Sequence, residues 1–258
     1  MLGWGSGWHA LIAFGVAVIA GAMNAVAGGG TNLSFPTLIW LGLSPVHANA
    51  TNAVALWPGS LGGAWGFRRE IGGSPRRWLW LVLPSLVGGA IGAYLLVHTP
   101  STFFRAIAPY LVIGSSVLIA LEPTIKKHLG GGGDQRQSTG WLVVAGAVDF
   151  VIAVYGGYFG AGIGILLLTA LGLLGAGSIH QANGLKNVYA LAIKGVAVVY
   201  FILEGIVVWH AAWLMAVGAI IGGYAGAALC RKVSARTMRG IVVLIGVGMG
   251  VAMIVQIA

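Results

Sequence analysis

Apolar runs recur along the whole chain, separated by short polar interruptions, and their lengths predict helices. They fall at about 8–27, 29–43, 45–67, 78–97, 104–121, 140–157, 160–176, 179–203, 209–229 and 240–257. Most approach the roughly 20 residues that an α-helix needs to cross a hydrocarbon core. None alternates with the two-residue period of a membrane β-barrel strand. Two of them, 29–43 and 160–176, are short and rich in glycine, which marks them as broken or re-entrant. The pattern predicts an all-α polytopic membrane protein, with ten crossings or with eight full spans plus two re-entrant segments.

Composition narrows the class further. Only 7% of the 258 residues are charged, 58% are hydrophobic and the mean hydropathy is +0.93. A soluble domain carries roughly 25% charged residues, and disordered chains are poor in apolar residues; both classes are excluded. The net charge of +9 points to topology and to no nucleic acid. Arg68, Arg69, Arg76 and Arg77 share one interruption, Lys126, Lys127 and Arg136 a second, and Arg231, Lys232, Arg236 and Arg239 a third. Short basic loops stay in the cytoplasm. With ten crossings all three do so, and both termini lie outside a multi-pass protein of the cell membrane. Met1–His9 lacks a basic leader and a cleavage site, so it is read as the start of the first span. Cys230 is the sole cysteine, which leaves no disulfide framework and no cysteine metal cluster.

The two halves repeat one design. Residues 20–56 hold Ala27-Gly-Gly-Gly30, Leu41-Gly42-Leu43, His47, and Asn52 with Ala55-Leu56. Residues 153–191 hold Gly160-Ala-Gly-Ile-Gly164, Leu171-Gly172-Leu173, His180, and Asn187 with Ala190-Leu191. A first membrane repeat over 1–121, a cytoplasmic linker over 122–139 and a second repeat over 140–258 follow. About five segments per repeat is an odd number, which inverts one repeat relative to the other, as in many secondary transporters.

These motifs carry a resemblance. Ala27-Gly-Gly-Gly-Thr-Asn-Leu-Ser-Phe-Pro36-Thr-Leu38, then Leu41-Gly42 and Ala50-Thr51-Asn52, resembles the first repeat of the TauE/SafE (sulfite exporter-like, TSUP) transporters. Tyr155-Gly-Gly-Tyr-Phe-Gly-Ala-Gly162-Ile-Gly164 with Lys186-Asn187 is similar to the second. Many members carry Asp after that Tyr, where this chain has Gly156. The resemblance implies movement of small sulfur-containing anions such as sulfite, thiosulfate or sulfonates, with export as the expected direction.

The residues suit an anion without that help. Interrupted helices survive in lipid only where protein or water covers them, and the amides freed at a break, with helix N-termini beyond it, attract anions. Ser44-Pro45 and Ser178 look like helix starts. Polar residues inside apolar runs are costly and mark function. The candidate substrate residues are therefore Gly29, Gly30, Thr31, Asn32, Thr51, Asn52, Gly162, Asn183, Lys186, Asn187 and Lys194, lining a midplane cavity between the repeats. Asn183, Asn187 and Lys194 share one helix face. His47, His180 and Asp149 are candidate proton-relay groups. Scattered glycines such as Gly88, Gly89, Gly222 and Gly223 read as close helix packing.

No nucleotide loop, Gly-x-Ser-x-Gly turn or metal-ligand spacing occurs, so no catalytic residue, metal or cofactor is assigned. The expected function is a secondary transporter working by alternating access. A passive anion channel and, further off, an intramembrane enzyme are the alternatives. Its partners are a small organic or inorganic sulfur oxyanion and the lipid bilayer, with a homodimer left open.

Overall fold

The computed structural model describes residues 7–26, 29–66, 76–129, 139–176, 179–229 and 235–257. Among them every regular element is helical: α1 (Gly7–Val26), α2 (Thr31–Trp40), α3 (Pro45–Gly66), the single turn α4 (Arg76–Leu79), α5 (Val82–His98), α6 (Ser101–Leu129), α7 (Thr139–Tyr158), α8 (Ile163–Leu173), α9 (Ile179–Leu203), α10 (Trp209–Leu229) and α11 (Ala235–Ile257). The chain is thus the polytopic helical protein its hydropathy predicts. Four stretches, Gly7–Asn24, Ser101–Thr124, Gln181–Leu203 and Arg239–Gln256, are long and apolar enough to cross a membrane, and shorter apolar helices accompany them. Leu83, Val87, Leu203, Tyr224, Leu244 and Val255 are all exposed, an apolar surface that only lipid or another apolar partner can cover.

The two glycine-rich runs fold as short helices of 10 and 11 residues. At 1.5 Å per residue each reaches about half of the hydrocarbon thickness, so neither helix alone spans it. They share their boundaries as well. Gly29 and Gly162 precede them with φ of +86° and +72°, and Gly42 and Gly175 follow them with φ of +97° and +74°. Only glycine takes these left-handed angles without strain. Beyond each helix the chain closes a Schellman turn, Leu43 N–H donating to Leu38 O and Ala176 N–H to Leu171 O. The two entry glycines lie 133 positions apart and so do the two exit glycines. Gly175 thus ends α8 with the same kind of turn that ends α2 at Gly42. Gly172, which the motif comparison paired with it, sits inside α8.

Two elements outrun their hydropathy. α6 continues to Leu129, eight residues into the stretch read as a loop, because Lys126 and Lys127 are good helix formers and the glycines begin only at Gly130. α11 starts at Ala235, inside the third basic interruption. α3 begins as its sequence indicates: Ser44 Oγ accepts from His47 N–H at 3.4 Å, and Pro45 occupies the first helical position. Ser178, Ala27 and Gly28 lie outside the described residues.

Packing divides the chain into two compact units that draw on both sequence halves. Unit 1 comprises residues 1–59, 97–120 and 201–258; unit 2 comprises 60–96 and 121–200. In unit 1, α1 packs chiefly on α10. A Cβ at Gly21 would strike Ala219 backbone atoms, and one at Gly222 the Val18 backbone. In unit 2, α5 lies against α7 in the same manner. A Cβ at Gly92 would strike Val154 O and Tyr158 N, and one at Gly157 the Gly89 backbone. Gly88, Gly89 and Gly222 thus stand at close helix contacts, while Gly223 makes only an ordinary one. Helices in lipid associate by such van der Waals contact, since the hydrophobic effect gives them no mutual preference.

Candidate functional site

In unit 2 the break between α7 and α8 is built by Tyr155 to Gly162. Phe159 and Gly160 amides both return to Tyr155 O, and the Tyr155 hydroxyl donates to Ala161 O at 2.6 Å, which ties the break to the last turn of α7. Gly156, where a carboxylate is common in the resembling family, is buried against Ile163 and Ile193. A side chain there would have to displace both.

α8 then starts at Gly162 with no side-chain cap. Its first amide bonds run from Ile165 and Leu166 back to Gly162 O, at 3.0 and 3.4 Å. A helix N-terminus of this kind carries roughly half a positive charge. Two lysines of α9 run their stems along it. A Cβ at Gly160 would sit 3.9 Å from Lys194 Cε, and one at Gly164 3.8 Å from Lys186 Cδ. Both lysines therefore have their stems beside the break and the first turn of α8. Lys186 Nζ donates to Asn183 Oδ1 at 3.2 Å. Lys194 is half-buried, and among the described residues its ammonium has no hydrogen-bond or ion-pair partner. Asn183 and Asn187 are half-buried on the same helix.

In unit 1 the polar residues bond mainly to one another. Asn24 Oδ1 accepts from Gly30 N–H at 2.8 Å and pins the first break. Asn32, fully buried at the start of α2, donates from Nδ2 to Ser116 Oγ at 2.9 Å and accepts at Oδ1 from Ser115 Oγ at 2.8 Å. A Cβ at Gly246 would collide with Ser116 Oγ, so α11 closes over this knot. Ser34 Oγ donates to Asn52 Oδ1 at 2.5 Å. Thr51 Oγ1 accepts from Val208 N–H at 3.0 Å, just before α10. Thr31 is buried beside Asn32. Together these bonds fasten α2 to α3, α6 and the start of α10.

His47 stands apart from these clusters. It is exposed and its Nδ1 shares a hydrogen bond with Ser44 Oγ at 2.7 Å. His180 falls in the first turn of α9, with its side chain outside the described set. Asp149 is buried in α7, bonded to Ser85. Reading the sequence alone missed Ser34, Ser85, Ser115 and Ser116. Serine is common in membrane helices, and only the adjacent pair Ser115-Ser116 in an otherwise apolar run offered a signal.

The sulfite exporter TauE/SafE family model matches residues 13–253, nearly the whole chain. The chain belongs to the TauE/SafE family. Among TauE/SafE-like relatives, a probable membrane transporter protein of Haemophilus influenzae is 25% identical over 94% of this chain and 93% of its own length. The probable membrane transporter protein YfcA of Escherichia coli is 29% identical over 91% and 85%. The probable membrane transporter protein ORF9 of a Sinorhizobium species is 24% identical over 93% and 90%. No solved structure matches significantly. This TauE/SafE chain is accordingly an integral membrane protein of transporter type.

Proposed function

We propose that the chain is a secondary transporter that exports a small sulfur oxyanion of the sulfite, thiosulfate or sulfonate type by alternating access. The observation that carries this is Lys194, an ammonium without a described partner beside the uncapped start of α8. Positive charge on positive dipole inside apolar helices is unfavourable on its own. A bound oxyanion turns each of those costs into an attraction: free amides bond its oxygens, and the lysines balance its charge. Asn183 and Asn187 add neutral donors, which replace lost hydration without making release slow. The knot around Asn32, with Thr51 and Asn52, holds the first glycine break in shape. The family name supports sulfite as the first anion to try.

The decisive experiment is flux of labelled sulfite into liposomes containing the purified protein. The expected result is saturable uptake that rises with an imposed ion gradient and is competed by thiosulfate. Flux that stays linear with concentration would make the protein a channel. Absence of flux with sulfite, thiosulfate and taurine alike would remove the substrate assignment.

The basic interruptions support an orientation with both termini outside and residues 68–77, 122–139 and 230–239 in the cytoplasm. A Gly73→Cys variant in intact cells should resist an impermeant thiol reagent and react only after permeabilisation. Efficient labelling from outside would reverse the orientation.

A further inference from the structure

Asp149 has no part in the anion site just described, yet among the described acids it alone has a buried carboxylate oxygen without a hydrogen-bond partner. Of the five acidic residues, Glu70 and Asp134 lie in polar interruptions, Glu204 is exposed just beyond α9, and Glu122 is buried within α6 but has an interaction partner there. Asp149 sits in mid-α7 at 4% exposure, one turn from Ala145 and one turn from Ala153, both fully buried. Ser85 of α5, itself fully buried, donates to Oδ2 at 2.7 Å. Oδ1 is sealed from solvent and, among the described residues, has no partner.

Among the described residues the surroundings offer no counter-charge: Lys186 and Lys194 of α9 lie by Gly164 and Gly160, and the side chains of Arg76 and Arg77 on α4 are outside the described set. α5 faces Asp149 with Ser85, and its titratable groups, Tyr94 and His98, lie more than two turns further along. α9 brings Tyr189 into electrostatic range, but that hydroxyl donates to Trp78 O. α8 carries no titratable residue. The rest of the pocket is the buried apolar cluster of Trp78, Leu81, Ala145, Ala153, Leu185 and Tyr189. Asp149 has no ion pair among the described residues. An ionised carboxylate in this place would lack charge balance and half of its hydrogen bonds, a cost of several kcal/mol. A neutral carboxylic acid avoids most of it.

We propose that Asp149 and Ser85 form a proton-binding site within unit 2, and that its proton is the coupling ion of the transport cycle. In the conformation described here Oδ1 holds the proton and Ser85 steadies Oδ2. When water reaches the pair, the proton passes from Oδ1 to water, leaving a carboxylate; rebinding reverses the step. A proton whose affinity differs between a dry and a wetted conformation shifts the balance between them by that difference. The coupling half of this inference rests on the transporter reading above, whereas the proton site does not.

Two measurements test it separately. Infrared difference spectra of the protein in lipid at pH 7 should contain a protonated carboxylic C=O band in wild type that Asp149→Asn lacks and Ser85→Ala shifts. Absence of the band in wild type, or its persistence in Asp149→Asn, overturns the site whatever the protein transports. In liposomes, sulfite accumulation driven by a pH gradient should fall at least tenfold in Asp149→Asn, while sulfite counterflow falls less than threefold. Unchanged accumulation, or an equal loss of both, overturns the coupling role. If wild type moves no sulfite, the substrate reading fails, and the infrared spectra still decide the proton site.

Discussion

Replacing Lys194 should change binding and stability in opposite directions. In Lys194→Met, sulfite binding to the purified protein is expected to weaken at least tenfold, or about 1.4 kcal/mol. Truncating one partner of a desolvated charge pair typically costs about 2–5 kcal/mol, and half-burial of the lysine brings the expectation to the lower end. The ligand-free protein should meanwhile become more stable, because an ammonium with no described partner leaves apolar surroundings and a thioether of similar length fills the space beside Gly160. Central lysines in membrane helices cost about 2.5–3.5 kcal/mol, so a gain of about 1–2 kcal/mol is expected. Lys186→Met should lose binding with little gain in stability, since Lys186 already donates to Asn183. Arg236→Ala, exposed at the start of α11, should alter neither. A thermal melt with and without sulfite reads both quantities. If Lys194→Met binds sulfite like wild type, the site is elsewhere; if it binds poorly but is also destabilised, the lysine is structural.

The helices were legible because their signals are local. A 20-residue apolar run, a Ser-Pro start at 44–45 and a glycine stop each act within one or two turns, and α9 and α10 begin and end where the hydropathy does. α6 was misjudged at its end for a physical reason: hydropathy reports affinity for lipid, and a lysine that leaves the lipid continues a helix perfectly well. The breaks were legible too, since glycine is the residue that left-handed angles require. Their exact pairing was not, because Gly42 and Gly172 look alike in sequence and only the backbone reveals that Gly175 makes the matching turn.

Partnerships across the chain were a different matter. Asn32 meets Ser115 and Ser116 more than eighty positions away, and Asp149 meets Ser85 sixty-four positions away. A buried asparagine announces that it needs partners without naming them. The pairing of helices is equally silent. In a soluble bundle an apolar stripe tells which face turns inward, but here every face is apolar, and lipid and protein neighbours read alike. That the first helix of the chain packs on α10, and α5 on α7, follows instead from where the glycines permit contact.

That dependence makes the glycine contacts the most severe substitutions in the fold. Gly222→Val would drive a side chain into the Val18 backbone, and Gly92→Val into Val154 O and Tyr158 N. These are main-chain atoms of a facing helix, so no rotamer change relieves the overlap; the helices must separate, and the van der Waals contact that replaces a hydrophobic drive between them in lipid is lost along the whole seam. Overpacking a tight core costs about 1–3 kcal/mol, sometimes more, and here the obstacle is rigid, so each variant is expected at or above the upper figure. Gly114→Ala and Gly248→Ala supply the contrast. Both lie mid-helix with nothing within 4 Å of an added Cβ, so each should be neutral or stabilising by about 0.5–1 kcal/mol, the ordinary difference between glycine and alanine in a helix. Thermal unfolding in detergent, with yield of monodisperse protein as the second readout, separates the two pairs. If Gly222→Val and Gly92→Val melt like Gly114→Ala, α1 and α5 are not seated on α10 and α7 as described, and the composition of both compact units would have to be redrawn.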